Sequence, residues 1–425
     1  MSADGPSARD VAHVALRLGR LMLVNGSDTA QVQEAVTALC ARLGFGAHLL
    51  VSAEGLLLTL ENEQGFRTRL GAAIHGMAVN MGALAALDGI HRQVLTATPG
   101  VAAIDRQLDA VERSGNRYPQ WLVVLGMGLT AAALARLFGG AWPVVGVSVL
   151  VGIVTQVLRQ RLAAAGTNPI AGAALAAFGG GLFGAVVMKA FPGASPTLCL
   201  VAAGMILVPG VPLLNGVRDT LGSHVGTGLS RLMVGIVTVL SIAFGLFLAA
   251  SVAGETLPVG GPVGLLPVGE DLLFSALAGV GFALLFNVPA RAAWACVICA
   301  MAGHGLRTAL EHLGLGLAPG SLAGAFAAGL LARLVAHRFG VPAVTFAFPG
   351  VVAMIPGSYA FRAGVGGLAV MRAGADSSPA LVGETIGLAV TAILVTAAIA
   401  IGLSLALAAP VRKLSPTLEP TGDSR

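Results

Sequence analysis

The chain has 425 residues, of which 56% are hydrophobic and only 11% are charged, and its mean hydropathy is +0.86. A soluble domain carries about 25% charged residues, so a protein that is soluble throughout is excluded. The formal net charge of +5 is spread along the chain without a basic run, so nucleic acid is not predicted as a partner. Cys296 and Cys299 lie in an apolar stretch and are interpreted as small buried residues rather than a redox motif.

No motif of an enzyme or of a nucleotide-driven pump occurs in the sequence. P-loops, dinucleotide fingerprints and metal-ligand spacings are absent, so neither a cofactor nor a metal is predicted. Ser27, Asp28 and His75 invite comparison with a hydrolase triad, but no nucleophile elbow surrounds the serine. Helix capping accounts for the Ser27 and Asp28 pair, and the chain is predicted not to be an enzyme.

Residues 1–118 are predicted to form a soluble α+β domain, because they hold 21 of the 45 charged residues in the chain. A first helix ends at Asn25 and Gly26, a typical stop signal. A second helix begins at Asp28, which we interpret as its N-cap. The apolar segment 48–71, interrupted by ENEQG, predicts strands joined by a hairpin. Two further helices are expected near 74–96 and 100–115.

After Trp121 the sequence repeatedly contains apolar segments of about 20 residues, which is the length that crosses a bilayer. We predict a first set of five spans over 119–256, a second set over 257–411, and a disordered tail over 412–425. The ten spans are expected near 120–139, 142–160, 169–190, 196–214, 229–252, 271–288, 290–309, 320–338, 342–360 and 384–409.

The positive charges between the spans indicate an orientation. With the N-terminus inside, eleven Lys and Arg residues fall in internal segments and five in external ones, and an internal excess is the rule for membrane proteins. Both termini are therefore predicted to be cytoplasmic. On this topology Glu270 and Asp271 belong to an external loop, and Arg136 and Lys189 are interpreted as side chains that snorkel to the interface.

The two halves of the membrane region share one unusual feature. LVPGVPLLNGVRD, residues 207–219, begins in the fourth predicted span, and AFPGVVAMIPGSYAFR, residues 347–362, belongs to the ninth. Each is the fourth segment of a set of five and precedes a long apolar helix. Because five is odd, successive sets enter the membrane from opposite sides, which is the inverted-repeat architecture of secondary transporters.

Proline lacks a backbone donor and clashes with the preceding turn, so both segments are predicted to break their helices. In hydrocarbon the freed polar groups persist only where protein or water covers them, and a matched pair of broken spans is typical of a transport site. Free N–H groups suit a carboxylate and exposed carbonyls suit an ammonium, and an amino acid offers both. The alternative is that residues 209–212 merely end span four, with Arg218 and Asp219 in a solvated loop.

The two broken segments are therefore predicted to meet near the bilayer midplane and to bind substrate. Arg218 and Arg362 are expected at comparable distances after the breaks, one of them pairing with the substrate carboxylate or with Asp219. The substrate-binding candidates are Pro209, Gly210, Pro212, Asn215, Arg218, Pro349, Gly350, Pro356, Gly357, Ser358, Tyr359 and Arg362.

Ionisable residues within spans are candidates for proton coupling, because they are costly to bury. Asp219 is the first candidate, since it follows a broken helix. His304 and Glu384 are the others, although a satisfied buried imidazole and a charge at a helix start explain them equally simply. Asn168 with Pro169 fits either a helix start or a site role, and residues 287–289 are interpreted as a turn.

These segments resemble the threonine/serine exporter family of bacterial inner-membrane transporters. The two proline-glycine segments are the most specific part of the resemblance. It is also carried by the segments LGRLMLVNGSDTAQVQEAVTALCARLG and RYPQWLVVLGMGLTAAALARLFGG. It implies a cytosolic N-terminal domain, ten helices, and export of threonine and serine driven by the proton gradient. Some relatives divide the two halves between separate chains and are associated with succinate export, so the substrate stays open.

The expected protein is thus a polytopic α-helical membrane protein with about ten transmembrane helices in two five-helix inverted repeats and an N-terminal α+β cytosolic domain. Its expected function is secondary transport that exports threonine and serine across the inner membrane, with the solute, protons and the lipid bilayer as partners. Whether it forms a homo-oligomer is left open. The alternatives are a dicarboxylate exporter, or a gated channel or membrane scaffold with a sensory domain.

Overall fold

The computed structural model describes residues 6–52, 54–63, 65–74, 78–97, 99–191, 197–255 and 264–408. The predicted tail over 412–425, the predicted boundaries near 256 and 411, and His75 lie outside these residues. The described chain is mostly helical, with a small sheet near its N-terminus, which confirms the predicted membrane protein with an α+β N-terminal domain.

The N-terminal domain packs four helices with one antiparallel sheet of strand order β1-β2-β3. The central strand buries Leu56, Leu58 and Leu60 in alternation, which is the pattern of a strand with one face on the core. Helix α3 begins at Met81, later than the expected position 74. The elements are α1 (Ala8–Val24), α2 (Thr29–Arg42), β1 (Gly46–Val51), β2 (Leu56–Asn62), β3 (Gly65–Leu70), α3 (Met81–Ala97) and α4 (Val101–Arg113).

Eight of the described helices are long and apolar enough to cross a membrane, and two bent pairs bring the number to ten, as predicted. The first set is α5 (Gln120–Leu137), α6 (Trp142–Ala164), α7 (Pro169–Met188), the pair α8 (Thr197–Met205) and α9 (Gly210–Leu221), and α10 (Val225–Ala253). The second set is α11 (Val268–Leu285), α12 (Ala293–His312), α13 (Leu317–Phe339), the pair α14 (Val344–Val352) and α15 (Gly357–Ala373), and α16 (Pro379–Ala408).

The two sets pack their helices in the same order. In each set the first helix packs on the second, the second on the third, and the third on the long last helix. The register is also repeated. A Cβ added to Gly245 of α10 would lie 3.1 Å from the carbonyl carbon of Ala174 on α7. A Cβ added to Gly402 of α16 would lie 3.1 Å from the carbonyl carbon of Leu322 on α13. Positions 174 and 322 are 148 residues apart.

The close approach of α16 to α13 predicts a specific sensitivity to side-chain size. Gly402→Leu should lower the melting temperature of the detergent-purified protein, because the new side chain meets backbone that cannot yield, and overpacking costs about 1–3 kcal/mol. Gly387→Leu in the same helix is the control, since nothing lies within 4 Å of a Cβ added there. Equal melting temperatures for the two variants would contradict the packing described here.

Candidate functional site

The fourth and ninth predicted spans are each broken into two helices, as the proline-glycine segments predict, and both extend beyond the predicted bounds of 196–214 and 342–360. The fourth span is α8 and α9, bent by 53°, and continues to Leu221. The ninth is α14 and α15, bent by 51°, and α15 continues to Ala373. The proline-glycine segments therefore lie inside broken spans, as the backbone chemistry of proline requires.

Both breaks end in the same tight turn. Pro209 precedes α9 with φ −78° and ψ 62°, and Pro356 precedes α15 with φ −77° and ψ 52°. The N–H of Gly210 donates to the carbonyl of Val208 at 2.8 Å, and that of Gly357 donates to the carbonyl of Ile355 at 2.7 Å. Position 356 is therefore the counterpart of position 209.

Two of the candidate prolines do not break a helix. Pro212 is the third residue of α9, where a backbone N–H has no intrahelical acceptor in any case. Pro349 lies within α14, and its ring leaves the carbonyl of Thr345 without the usual donor. The thiol of Cys296 donates to that carbonyl at 3.6 Å. A Cβ added to Gly350 would meet the Cβ of Cys299 at 2.7 Å.

This packing gives the C-x-x-C sequence a structural use. All four cysteines are buried and free, so the interpretation of Cys296 and Cys299 as small buried residues is confirmed. They allow α12 to approach α14 closely where proline has removed a helical hydrogen bond. Within the described residues no group of three or more His, Cys, Asp or Glu side chains could hold a metal ion.

The two broken segments contact each other directly. A Cβ added to Gly210 would lie 3.2 Å from Cγ2 of Val352, and one added to Gly357 would lie 2.6 Å from Cγ2 of Val208. The structure thus brings Pro209 and Gly210 together with Pro356 and Gly357. The side chains around this junction are apolar, with Val352 and Ile355 buried and Val208 half-buried. The polar groups of a site must therefore lie beside the junction rather than in it.

A polar cavity lies beside the second break. The carbonyl of Phe286, just after α11, accepts from the N–H of Met81 in the N-terminal domain at 2.8 Å. Helix α11 therefore begins at the opposite end of the membrane region, which we call the far end. The far-end cavity has a volume of about 60 Å³. Its polar lining and break residues are Asp271, Arg307, Thr308, Glu311, Pro356 and Tyr359.

Asp271 and His304 form a buried pair in the wall of this cavity. Nδ1 of His304 lies 2.8 Å from each carboxylate oxygen of Asp271, and the hydroxyl of Thr308 donates to the same carboxylate at 2.7 Å. A guanidinium nitrogen of Arg307 lies 2.8 Å from Nε2 of His304. Because arginine only donates, Nε2 accepts and Nδ1 carries the proton, so the geometry defines a neutral imidazole.

The charges around this pair are unequal in number. Nε of Arg307 lies 3.7 Å from a carboxylate oxygen of Glu311, one turn further along α12. Arg307 is also an electrostatic neighbour of Asp271, so two carboxylates lie near one guanidinium. The expectation that Asp271 belongs to a loop is wrong, because it lies in the first turn of α11 and is only 3% exposed. A cavity with two carboxylates and one guanidinium suits a ligand that carries both signs of charge.

The other candidate charges bind the N-terminal domain to the membrane region. Arg218 pairs with Asp28 at 2.7 Å, and Asp28 also caps α2 by accepting from the N–H of Gln31 at 2.8 Å. Asp219 accepts from the N–H of Thr29 at 2.8 Å and pairs with Arg231 at 3.3 Å.

The structure therefore contradicts two readings of these residues. Arg218 and Asp219 are not in a solvated loop and do not pair with each other, because neighbouring helical residues point about 100° apart. Asn215 also faces the N-terminal domain, where its amide donates to the carbonyl of Gly26 at 2.8 Å. Capping alone does not account for Asp28, which has an ionic partner as well.

The remaining candidates are distributed along α15 and α16. Ser358 is buried, and its hydroxyl has no hydrogen-bond partner among the described residues. Arg362 is half-buried, with Tyr359 and Glu384 as electrostatic neighbours. It lies six residues after Pro356, whereas Arg218 lies nine after Pro209. Asn215 holds the position that corresponds to Arg362.

Four polar residues at helix ends have simple structural roles. Arg136 does not merely snorkel, because its Nε donates to Glu270 at 3.0 Å. Lys189 likewise donates to the carbonyl of Ala253 at 3.0 Å. Asn168 caps α7, and Asn287 adopts φ 57° in the predicted turn after α11. These residues join helix ends and are not part of the cavity.

The fold is that of a multi-pass membrane protein, and comparison with known proteins identifies the family. Residues 13–253 match the family described as "Putative threonine/serine exporter", and residues 271–409 match "Threonine/Serine exporter, ThrE". The chain belongs to the threonine/serine exporter family. No solved structure matches it.

Three curated relatives show the range of the family. The chain is 26% identical over 384 residues to the "Probable threonine/serine exporter" of Mycobacterium tuberculosis, covering 85% of this chain and 70% of that one. It is 21% identical over 372 residues to the "Threonine/serine exporter" of Corynebacterium glutamicum, covering 84% and 76%. It is 26% identical over 259 residues to the "Probable succinate transporter subunit YjjP" of Klebsiella aerogenes, covering 60% and 98%.

The buried ion pair between α9 and α10 predicts a strong effect of removing one partner. Asp219→Asn should destabilise the full-length protein by about 3–5 kcal/mol, because it leaves the buried guanidinium of Arg231 without a carboxylate. The measurement is thermal unfolding in detergent, together with the rate of proteolysis of the N-terminal domain. Asp109→Asn is the control, because the Asp109 side chain is 38% exposed. Equal losses in the two variants would contradict the structural importance of the buried pair.

Proposed function

We propose that this protein is a secondary transporter that exports threonine, serine or similar small amino acids across the bacterial inner membrane, driven by the proton gradient. The observation that carries the proposal is the buried group of Arg307, Asp271 and Glu311 beside the second helix break. The printed names of the relatives from Mycobacterium tuberculosis and Corynebacterium glutamicum support the same substrates.

The cavity offers a complementary group for each part of such a substrate. Arg307 can receive the carboxylate, since a guanidinium binds it with two parallel hydrogen bonds. Glu311 and Asp271 can receive the ammonium, and the hydroxyl of Tyr359 can bond the side-chain hydroxyl of threonine or serine. The first turn of α15 adds backbone N–H groups and the positive end of a helix dipole.

His304 provides a means of coupling transport to protons. In the structure it is neutral and donates to Asp271, whose negative charge is then available to a substrate ammonium. A proton at Nε2 turns the imidazole into a cation, which neutralises Asp271 and ends the hydrogen bond from Arg307. The protonated site then repels the ammonium and releases the substrate. Proton binding and substrate binding therefore exclude each other, as antiport requires.

The arrangement in the membrane follows from the repeated packing. We propose that the two sets of five helices are inverted repeats. Ala174 contacts the last helix of its set in the same way as Leu322 does, and Pro209 and Pro356 have similar backbone angles at the two breaks. With the N-terminal domain and C-terminus in the cytoplasm, the excess of positive charge lies inside. The far-end cavity then faces the external half of the membrane. Asp219, held by Thr29 and Arg231, has an interdomain role in this scheme.

The decisive experiment is counterflow of labelled threonine in proteoliposomes, with and without an imposed pH gradient. The wild-type protein should show saturable exchange that the gradient accelerates. Arg307→Gln should cut exchange at least about tenfold, because it removes a charge-assisted pair to the carboxylate. Arg372→Gln, at the exposed end of α15, is the matched control and should exchange at the native rate.

A second variant tests the proton coupling separately. His304→Gln should retain exchange of threonine but lose its acceleration by the pH gradient, because the site can no longer gain the charge that expels the substrate. Native exchange by Arg307→Gln would place the site elsewhere. Conductance without exchange would favour a gated channel or a scaffold.

A dicarboxylate exporter is the second candidate, because the "Probable succinate transporter subunit YjjP" of Klebsiella aerogenes is similar to 60% of the chain. Labelled succinate in the same assay separates the two. The charges of the far-end cavity favour an amino acid, since two carboxylates beside one guanidinium repel a dianion. Transport of succinate but not of threonine would reverse this assignment.

A further inference from the structure

A second polar cavity, of about 200 Å³, lies at the end of the membrane region that carries the N-terminal domain. It is bounded by the segment before α5 and by the adjoining ends of α5, α6 and α11. Gln156, Arg159 and Gln160 of α6 line one wall, and Tyr118 lines another. The hydroxyl of Tyr118 donates to the carbonyl of Val288 at 2.8 Å, which fixes that wall to the turn after α11.

The cavity contains polar groups that the protein itself does not satisfy. Gln156 is only 3% exposed, and its side-chain carbonyl oxygen has no hydrogen-bond partner among the described residues. Buried side-chain oxygens are nearly always bonded, so this one is available to a ligand. Among the described residues no ion pair or hydrogen bond engages the guanidinium of Arg159, which lines the same space.

This cavity corresponds to the far-end cavity by position. Adding 148 to the residue number, the spacing seen in the helix packing, relates Gln156 to His304 and Arg159 to Arg307. The same spacing relates Val123, which also lines this cavity, to Asp271. The guanidinium is therefore kept at both ends, whereas the imidazole and its carboxylate partner are present only at the far end.

We propose that this cavity is the loading site for the transported solute, a small carboxylate that also carries an ammonium or hydroxyl group. Arg159 binds the carboxylate, and the carbonyl oxygen of Gln156 accepts a hydrogen bond from the ammonium or hydroxyl. Because no acidic side chain of the described residues lines the cavity, it binds the solute without exchanging a proton for it. The identity of the solute as an amino acid rests on the proposed function, whereas carboxylate binding rests on this cavity alone.

The test is protection of an introduced cysteine in the detergent-purified full-length protein. Gln160→Cys places a thiol in the wall, and the four native cysteines are buried, so a polar thiol reagent reports on the new one. Threonine should slow the reaction, and threoninamide, which lacks the carboxylate, should not. Adding Arg159→Gln or Gln156→Leu should raise the threonine concentration for half-protection about tenfold. Arg159→Lys should retain part of the protection.

Arg161→Cys, exposed on the same helix and outside the cavity, is the control and should react at the same rate with or without threonine. Protection by succinate but not by threonine would leave the carboxylate cavity standing and would overturn the amino-acid assignment. If neither threonine nor succinate slows the reaction at Gln160→Cys, or if either slows it equally at Arg161→Cys, the loading site is wrong, whatever the transport assay shows.

Discussion

The structure depends on one constraint, which is that backbone polar groups in hydrocarbon must be covered wherever a helix is interrupted. An uncovered N–H or carbonyl costs several kcal/mol there. This chain interrupts two helices and packs the interruptions against each other, with Gly210 and Gly357 in reciprocal contact with side chains from the opposite break. Glycine is required at both positions because the opposing side chains leave no room for a Cβ. The breaks thus cover each other, and the polar side chains that remain collect beside them.

The N-terminal domain is part of the same solution. The first half-helix after a break, α9, ends in consecutive residues of opposite charge, and the helix directs Arg218 and Asp219 to different partners. Both partners, Asp28 and the N–H of Thr29, belong to the start of α2. The start of α2 therefore holds the broken membrane helix α9 through the capping carboxylate of Asp28 and the backbone N–H of Thr29. The domain and the membrane region consequently cannot move independently without separating buried charges.

Sequence reasoning predicted the elements whose signals are local. Periodicity, proline and hydropathy predict the cap at Asp28, a break in each of the segments 207–219 and 347–362, and the number of spans. Sequence reasoning could not predict partners that lie far apart in sequence, such as Arg218 with Asp28 or His304 with Asp271. The sequence predicts a loop position for Asp271 because this residue begins a span, and a negative charge at a helix N-terminus is common. The one available signal was that His304, Arg307, Thr308 and Glu311 share one face of a helix at spacings of three and four.

The two cavities lie at corresponding places in the two sets of helices, but they are lined by different titratable residues. Arg159 and Arg307 are 148 residues apart, so both cavities contain a guanidinium, which binds a carboxylate without gaining or losing a proton. At the same spacing Asp271 and His304 correspond to Val123 and Gln156, which cannot change charge near neutral pH. A site without a titrating group binds the solute equally at any proton concentration in that range, whereas a site with one binds it only when unprotonated. In the proposed mechanism, that difference gives the repeated arrangement of helices a direction, because only the far-end cavity changes its charge with the proton concentration.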